Sequence, residues 1–148
     1  MTHVIFFLYV IIGAFFLAKL EINIEGKYGW AEKLPAWRKV IKTGIFKGYT
    51  FTGYHFYMFV CFLPLLFHLP FLFFPWSPAV EAKIIAAYFL MTGLEDILWF
   101  AFNPDYGLKA YTKERVKWHK RWLFGFPLPI IIVLYFGAIA YALSLFLP

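Results

Sequence analysis

Charge is what this sequence has least of. Only 15% of its 148 residues are Asp, Glu, Lys or Arg, against 63% hydrophobic, whereas a water-soluble domain carries roughly 25% charged residues to cover its surface. That deficit excludes an ordinary soluble enzyme, and a mean hydropathy of +0.71 leaves lipid as the solvent for most of the chain. Cysteine is nearly missing as well: the single Cys61 excludes an intrachain disulfide framework and any multi-cysteine metal site. No H-E-x-x-H, G-x-S-x-G or phosphate-binding loop occurs, nothing repeats at a fixed period, and no stretch is low in complexity. Aromatics are abundant: twenty Phe, ten Tyr and six Trp. The net charge of +6 would suggest nucleic acid for a soluble protein. In a membrane protein the position of charge matters more than its sum, and no nucleic-acid partner is expected.

Four apolar stretches approach the roughly 20 residues needed to cross about 30 Å of hydrocarbon: Val4 to Ala18, Gly53 to Phe74, Ile84 to Phe102 and Leu123 to Leu147. The first is short and bounded by Lys19; without a basic leader or a small-residue cleavage site it reads as a retained anchor. Helices satisfy their own backbone groups in lipid. The expected fold is therefore an all-α integral membrane protein, a single transmembrane domain over 1–148 built as a four-transmembrane-helix bundle, with loops at about 19–52 and 103–122. Pro64, Pro70, Pro127 and Pro129 should kink or loosen their helices. Of the fourteen Lys and Arg, all but Lys83 lie in those two loops. The positive-inside rule then predicts a cell-membrane protein with both loops cytoplasmic, and both termini and the Ser77 to Lys83 connection outside.

Both loops read as short interfacial amphipathic helices. After Pro35, Trp37, Val40, Ile41, Gly44 and Ile45 share one face and Arg38, Lys39, Lys42 and Thr43 another; Arg115, Trp118, His119 and Trp122 recur at i, i+3, i+4 and i+7, an interfacial pattern. Membrane lipids are the partners this implies. Ala138 and Ala142, with Gly137 beside them, offer a small-residue packing face. A bundle with so few such faces is expected to form a homo-oligomer or to dock into a larger membrane complex.

Two charges stand where none should. Ionisable groups inside a span cost about 2.5–3.5 kcal/mol each on insertion scales and mark function by default. Glu95 and Asp96 fall within the third span, on a stripe with Thr92, Trp99 and Asn103 at helical spacing that must face protein or water. Asn103-Pro104-Asp105-Tyr106-Gly107 ends that helix, which sets the pair about 12 Å from the cytoplasmic end. His55 enters the second span to a comparable depth, and His119 approaches from the second loop. Glu95, Asp96 and His119 are the expected catalytic groups. With His55 they also make a candidate metal set, because imidazole and carboxylate suit zinc, iron or manganese; a divalent ion is the cofactor that set would take. The same groups equally suit acid/base chemistry. The plainer expectation pairs the carboxylates with a loop Lys or Arg, or bonds them to Tyr49, Tyr54 or Trp37, and leaves His55 as packing and His119 as interfacial. His55 and His68 lie roughly 220° apart around one helix and no other span holds a histidine, so no axial haem pair forms within the chain.

Gly93 to Phe100 resembles, over eight residues, the acidic stretch of the small membrane subunits of carotenoid cyclases. Gly93 stands where that stretch opens with proline, and so short a match assigns no family. The residues themselves predict a membrane-embedded enzyme acting on a lipid or hydrophobic small molecule at the cytoplasmic leaflet through an intramembrane carboxylate/histidine site. A non-catalytic structural or assembly subunit is the alternative. A small ion or proton transporter comes third, because no polar path continues outward of Thr92.

Overall fold

The structure is a computed structural model that describes residues 2–148. Helix α1 spans Thr2–Glu25, six residues past the Lys19 that bounded the expected first span. Val10, Ala14, Leu17, Ala18, Glu21 and Glu25 are its buried residues, a three-and-four spacing that defines one continuous face. It stops where Gly26 takes a φ of +62°, the left-handed cap that glycine adopts at no steric cost.

The loop that follows corrects the first expected interfacial helix. Arg38–Val40 (β1) pairs antiparallel with Thr50–Thr52 (β2), Arg38 opposite Thr52, and the ladder continues through Ile41 N to Tyr49 O at 2.9 Å. β-Branched Val40 and Ile41 suit a strand, and the turn between the strands uses Gly44 and Gly48 at φ of +74° and +90°, angles no helix accepts. The hairpin leads into helix α2, Gly53–Phe67, capped by Thr52 accepting from His55 N. Phe56–Phe62 within it is wound as a π-helix; Pro64 just beyond has no N–H to offer the turn before it. The second span therefore ends short of Phe74, and Pro70 lies in a separate 3-10 turn, Leu69–Leu72.

Helix α3, Pro78–Phe102, starts earlier than expected because Ser77 caps it, accepting from Val80 N, with Pro78 at its first position and Glu81 in its first turn, each favourable there. It ends before Asn103-Pro104. The second loop then corrects the other expected amphipathic helix: apart from a 3-10 turn at Leu108–Ala110, 103–121 has no helix. Val116 is fully buried in a cluster with Ala18, Trp99 and Phe100, with Tyr111, Trp118 and Trp122 packed around it. Packing these residues from several sides over the end of α3 overrides a stripe that one helix face would present. Trp122–Leu123 (β3) and Phe126–Pro127 (β4) form a tight hairpin, turned by Phe124 and Gly125 at φ of +50° and +82°, the pair of positive angles of a type I′ turn. The fourth helix, α4, consequently runs Leu128–Leu143 rather than from Leu123.

Helix α3 packs chiefly against α4 and α1. At the α3/α4 contact a Cβ on Gly137 would lie 2.8 Å from Leu90 Cγ and 3.0 Å from its backbone N, and one on Gly93 would lie 2.7 Å from Leu134 Cδ2. Ala138 and Ala142, the expected small-residue face, are exposed; the inward face of α4 runs through Ile130, Gly137 and Ser144, seven residues apart. Both basic loops gather at one end of the molecule, tied by Asn103 Nδ2 to Gly26 O at 2.8 Å, Tyr106 OH to Lys27 O at 2.9 Å and Arg121 N to Tyr49 OH at 2.9 Å. At the other end Ala79 N donates to Pro148 O at 3.1 Å, and His3 bonds Tyr141. Two helices, His3–Glu25 and Pro78–Phe102, are long and apolar enough to cross a membrane, with 22% and 39% of their most apolar stretches buried inside the protein. The first exposes an apolar face that includes Val4, Leu8, Ile11, Ile12 and Phe16, whereas the second exposes only Val80, Ile85 and Phe102; their length and apolar composition suggest membrane association. Gly53–Phe67 and Leu128–Leu143 are apolar but shorter.

Candidate acid–histidine site

Where α1 ends, α3 nears its end and the two loops meet, a cavity of about 250 Å³ is lined by all four of the residues expected from the sequence, Glu95, Asp96, His55 and His119, and by Glu21 and Glu25 of α1. Asp96 is held from the second loop. One carboxylate oxygen accepts from Tyr111 OH at 2.8 Å and the other lies 3.3 Å from His119 Nε2. Burial, and then the Asp96 charge, push the Tyr111 phenol above its ordinary range, so it stays a donor. In the neutral ring that bonds Asp96 through an Nε2–H, Nδ1 is left as an acceptor. That nitrogen has no protein partner, and the ring is only 1% exposed.

Glu95, buried, meets Glu21 carboxyl to carboxyl, a contact that needs a proton shared between the two groups. Its Oε1 has no protein partner, nor does the indole N–H of Trp99 below it on the same stripe; buried polar atoms of this kind are rare and call for an explanation. Glu21 also accepts from Tyr54 OH at 2.8 Å. Among the described residues no Lys or Arg is ion-paired with any of the four carboxyl groups. Of the plainer contacts, Tyr54 reaches Glu21 instead of the expected pair, and Tyr49 receives Arg121 N.

Glu25 shapes the wall of the site. It accepts from Ala31 N at 2.5 Å, fixing a turn in which Trp30 and Ala31 take φ of +62° and +55°, left-handed values that cost side-chain-bearing residues roughly 1–2 kcal/mol each. Arg38 donates to Ala31 O and the Trp30 indole to Thr50 O, so strand β1, strand β2 and α1 together hold the strained turn. The result is Trp30 stacked on His55, centroids 4.3 Å apart and 28° between planes. His55 Nδ1 pairs with the cap hydroxyl of Thr52 at 2.7 Å, and Trp30 meets His119 edge-on at 5.8 Å.

The acidic stripe of α3 thus faces inward, as a charge in an apolar segment requires. Of the candidate metal set, Asp96 and His119 bond directly, whereas His55 bonds Thr52 and stacks on Trp30 and makes no hydrogen bond to the other three. No group of three His, Cys, Asp or Glu side chains adopts a metal-holding arrangement among the described residues. Glu21 and Glu25 are the residues the sequence reading missed. The signal was present: they extend the Val10, Ala14, Leu17, Ala18 face at the same spacing, past Lys19, which is not among the buried residues. No protein-family model matches this chain, and neither a curated protein nor a solved structure does; function is argued from the site.

Proposed function

We propose that this protein is a membrane-embedded enzyme that performs proton-transfer chemistry on a lipid or other hydrophobic small molecule at the cytoplasmic leaflet. The observation that carries this reading is His119, buried, oriented by Asp96 through one ring nitrogen and unpartnered at the other while lining a cavity. A carboxylate that orients one side of an imidazole and compensates the charge it gains is the usual arrangement of a general base. His119 Nδ1 takes a proton from the substrate, and Asp96, held in turn by Tyr111, stabilises the imidazolium. Glu95, with the proton it shares with Glu21, returns a proton at a second atom. A base and an acid facing one apolar cavity suit isomerisation, or addition and elimination, at a carbon framework. The four-span threading with both loops cytoplasmic is part of this proposal, supported by the basic loops packing together at one end and the termini meeting at the other.

The rival reading, a non-catalytic subunit, expects the carboxylates to be neutralised by a Lys or Arg contact, and it is disfavoured by the absence of such pairs among the described residues. The test is complementation. A strain lacking the protein is restored by the wild type but not by Glu95→Gln, Asp96→Asn or His119→Asn, each checked for normal membrane abundance. Restoration by all three variants would overturn the proposal.

A further inference from the structure

The cavity of about 250 Å³ is smaller than the roughly 300–1,000 Å³ of small-molecule pockets, with room for a headgroup and a few carbons but not for a lipid. Anything longer must extend through an opening, and the lining shows where. Phe59 and Val60 of α2 and Pro129, Ile130 and Val133 of α4 line the cavity, and Val60, midway along α2, is also 53% exposed. One residue that both lines the cavity and lies on the outer surface marks a mouth, and this mouth is apolar on both sides and opens sideways from the bundle. Inside, the chemistry reverses: four carboxyl groups, no Lys or Arg in the lining, and two buried acceptors, Glu95 Oε1 and His119 Nδ1, without protein partners. Trp30, Trp99 and Trp118 complete the wall. Acceptors lacking donors, a Glu95–Glu21 pair that holds one proton between two carboxyl groups with no Lys or Arg beside it, and indole faces are the features that recognise an organic cation with N–H groups.

We propose that the ligand of this site is a single-chain amphiphile with an ammonium headgroup, the ammonium bound among Glu95, His119 and the tryptophans and the alkyl chain leaving between α2 and α4 into the bilayer. Lateral entry brings the cation in from the lipid and not past the basic loops. This rests on the proposed function in taking the cavity as the substrate site, and it adds the substrate class.

The test is a titration of the full-length protein in nanodiscs of zwitterionic lipid with octylammonium, octanol and octanoate, followed by tryptophan fluorescence. Octylammonium binds saturably and at least tenfold more tightly than octanol, with octanoate weakest. Glu95→Gln, or Glu21→Gln if the first variant does not fold, brings octylammonium to the level of octanol, and Val60→Trp weakens octylammonium and octanol alike by narrowing the mouth. Octanol binding as tightly as octylammonium, octanoate binding most tightly, or selectivity unchanged in both glutamine variants overturns the proposal. The two readings fail separately. Selective octylammonium binding alongside full complementation by His119→Asn would leave the ligand class standing and sink the proton-transfer chemistry, and octanoate selectivity with failed complementation would do the reverse.

Discussion

Asp96 accepts from two donors on one side of the cavity, and everything proposed for His119 follows from that. Replacing Asp96 with Asn puts an N–H where an acceptor stood and lets the imidazole turn or switch tautomer, so turnover should fall by about 10²–10⁴-fold, the range for loss of general acid–base catalysis, with little loss of folded protein. Turnover within a few-fold of wild type would remove Asp96 from the mechanism. Tyr111 gives a second check. Its phenol is pushed above the ordinary tyrosine range by burial and by Asp96, so its proton stays on in the folded state. The stabilisation this represents is complete below the unfolded value near 10 and is lost as pH rises above it. Absorbance titration at 295 nm of the folded protein should therefore give the same step near pH 10 for wild type and Tyr111→Phe; a step smaller by one tyrosine in the variant would contradict the buried Tyr111–Asp96 bond. At this scale the sequence exposed Glu95 and Asp96 because charge inside an apolar run has no cheap explanation. It hid Glu21 and Glu25 because Lys19 looks like the end of a span, although one lysine does not end a helix. It hid the role of Trp30 because a strained turn leaves no periodic signal.

At the scale of elements, the helices were legible and the loops were not. Long apolar runs could only be helices, and their lengths shifted where caps and glycines intervened: Ser77-Pro78 started α3 early, and the Phe124-Gly125 turn started α4 late. The second-loop pattern is served by an irregular segment packed over Phe100, whereas in the first loop a hairpin closed by Gly44 and Gly48 leaves Trp37, Val40 and Ile45 exposed. The α3/α4 contact tests the revised packing face. Gly137→Leu forces a side chain against the backbone of Leu90 and should destabilise the protein by about 1–3 kcal/mol, the usual cost of overpacking. Ala138→Leu points outward and should change stability by no more than about 0.5 kcal/mol. Thermal unfolding in detergent separates them, and equal effects would mean that α4 is rotated from the described face.

For the whole molecule, the shortage of charge becomes an allocation. Twelve of the fourteen basic residues lie in two loops that pack at one end, Lys19 and Lys83 being in helices, and four of the eight acidic residues line the cavity beneath the loops. In a Cys61→Ser background, single cysteines at Lys39 and Lys117 should react with a membrane-impermeant maleimide only after the cells are opened; labelling of both in intact cells would invert the threading. The central claim, that the cavity does chemistry, is tested most directly by mass spectrometry. Purified protein is incubated with a lipid extract of the cells it comes from, beside His119→Asn and Glu95→Gln protein of equal folded content. The account predicts that wild type alone depletes one hydrophobic species and accumulates another, and that both variants leave the extract unchanged. Identical extracts from all three proteins, or the same conversion by all three, would contradict it.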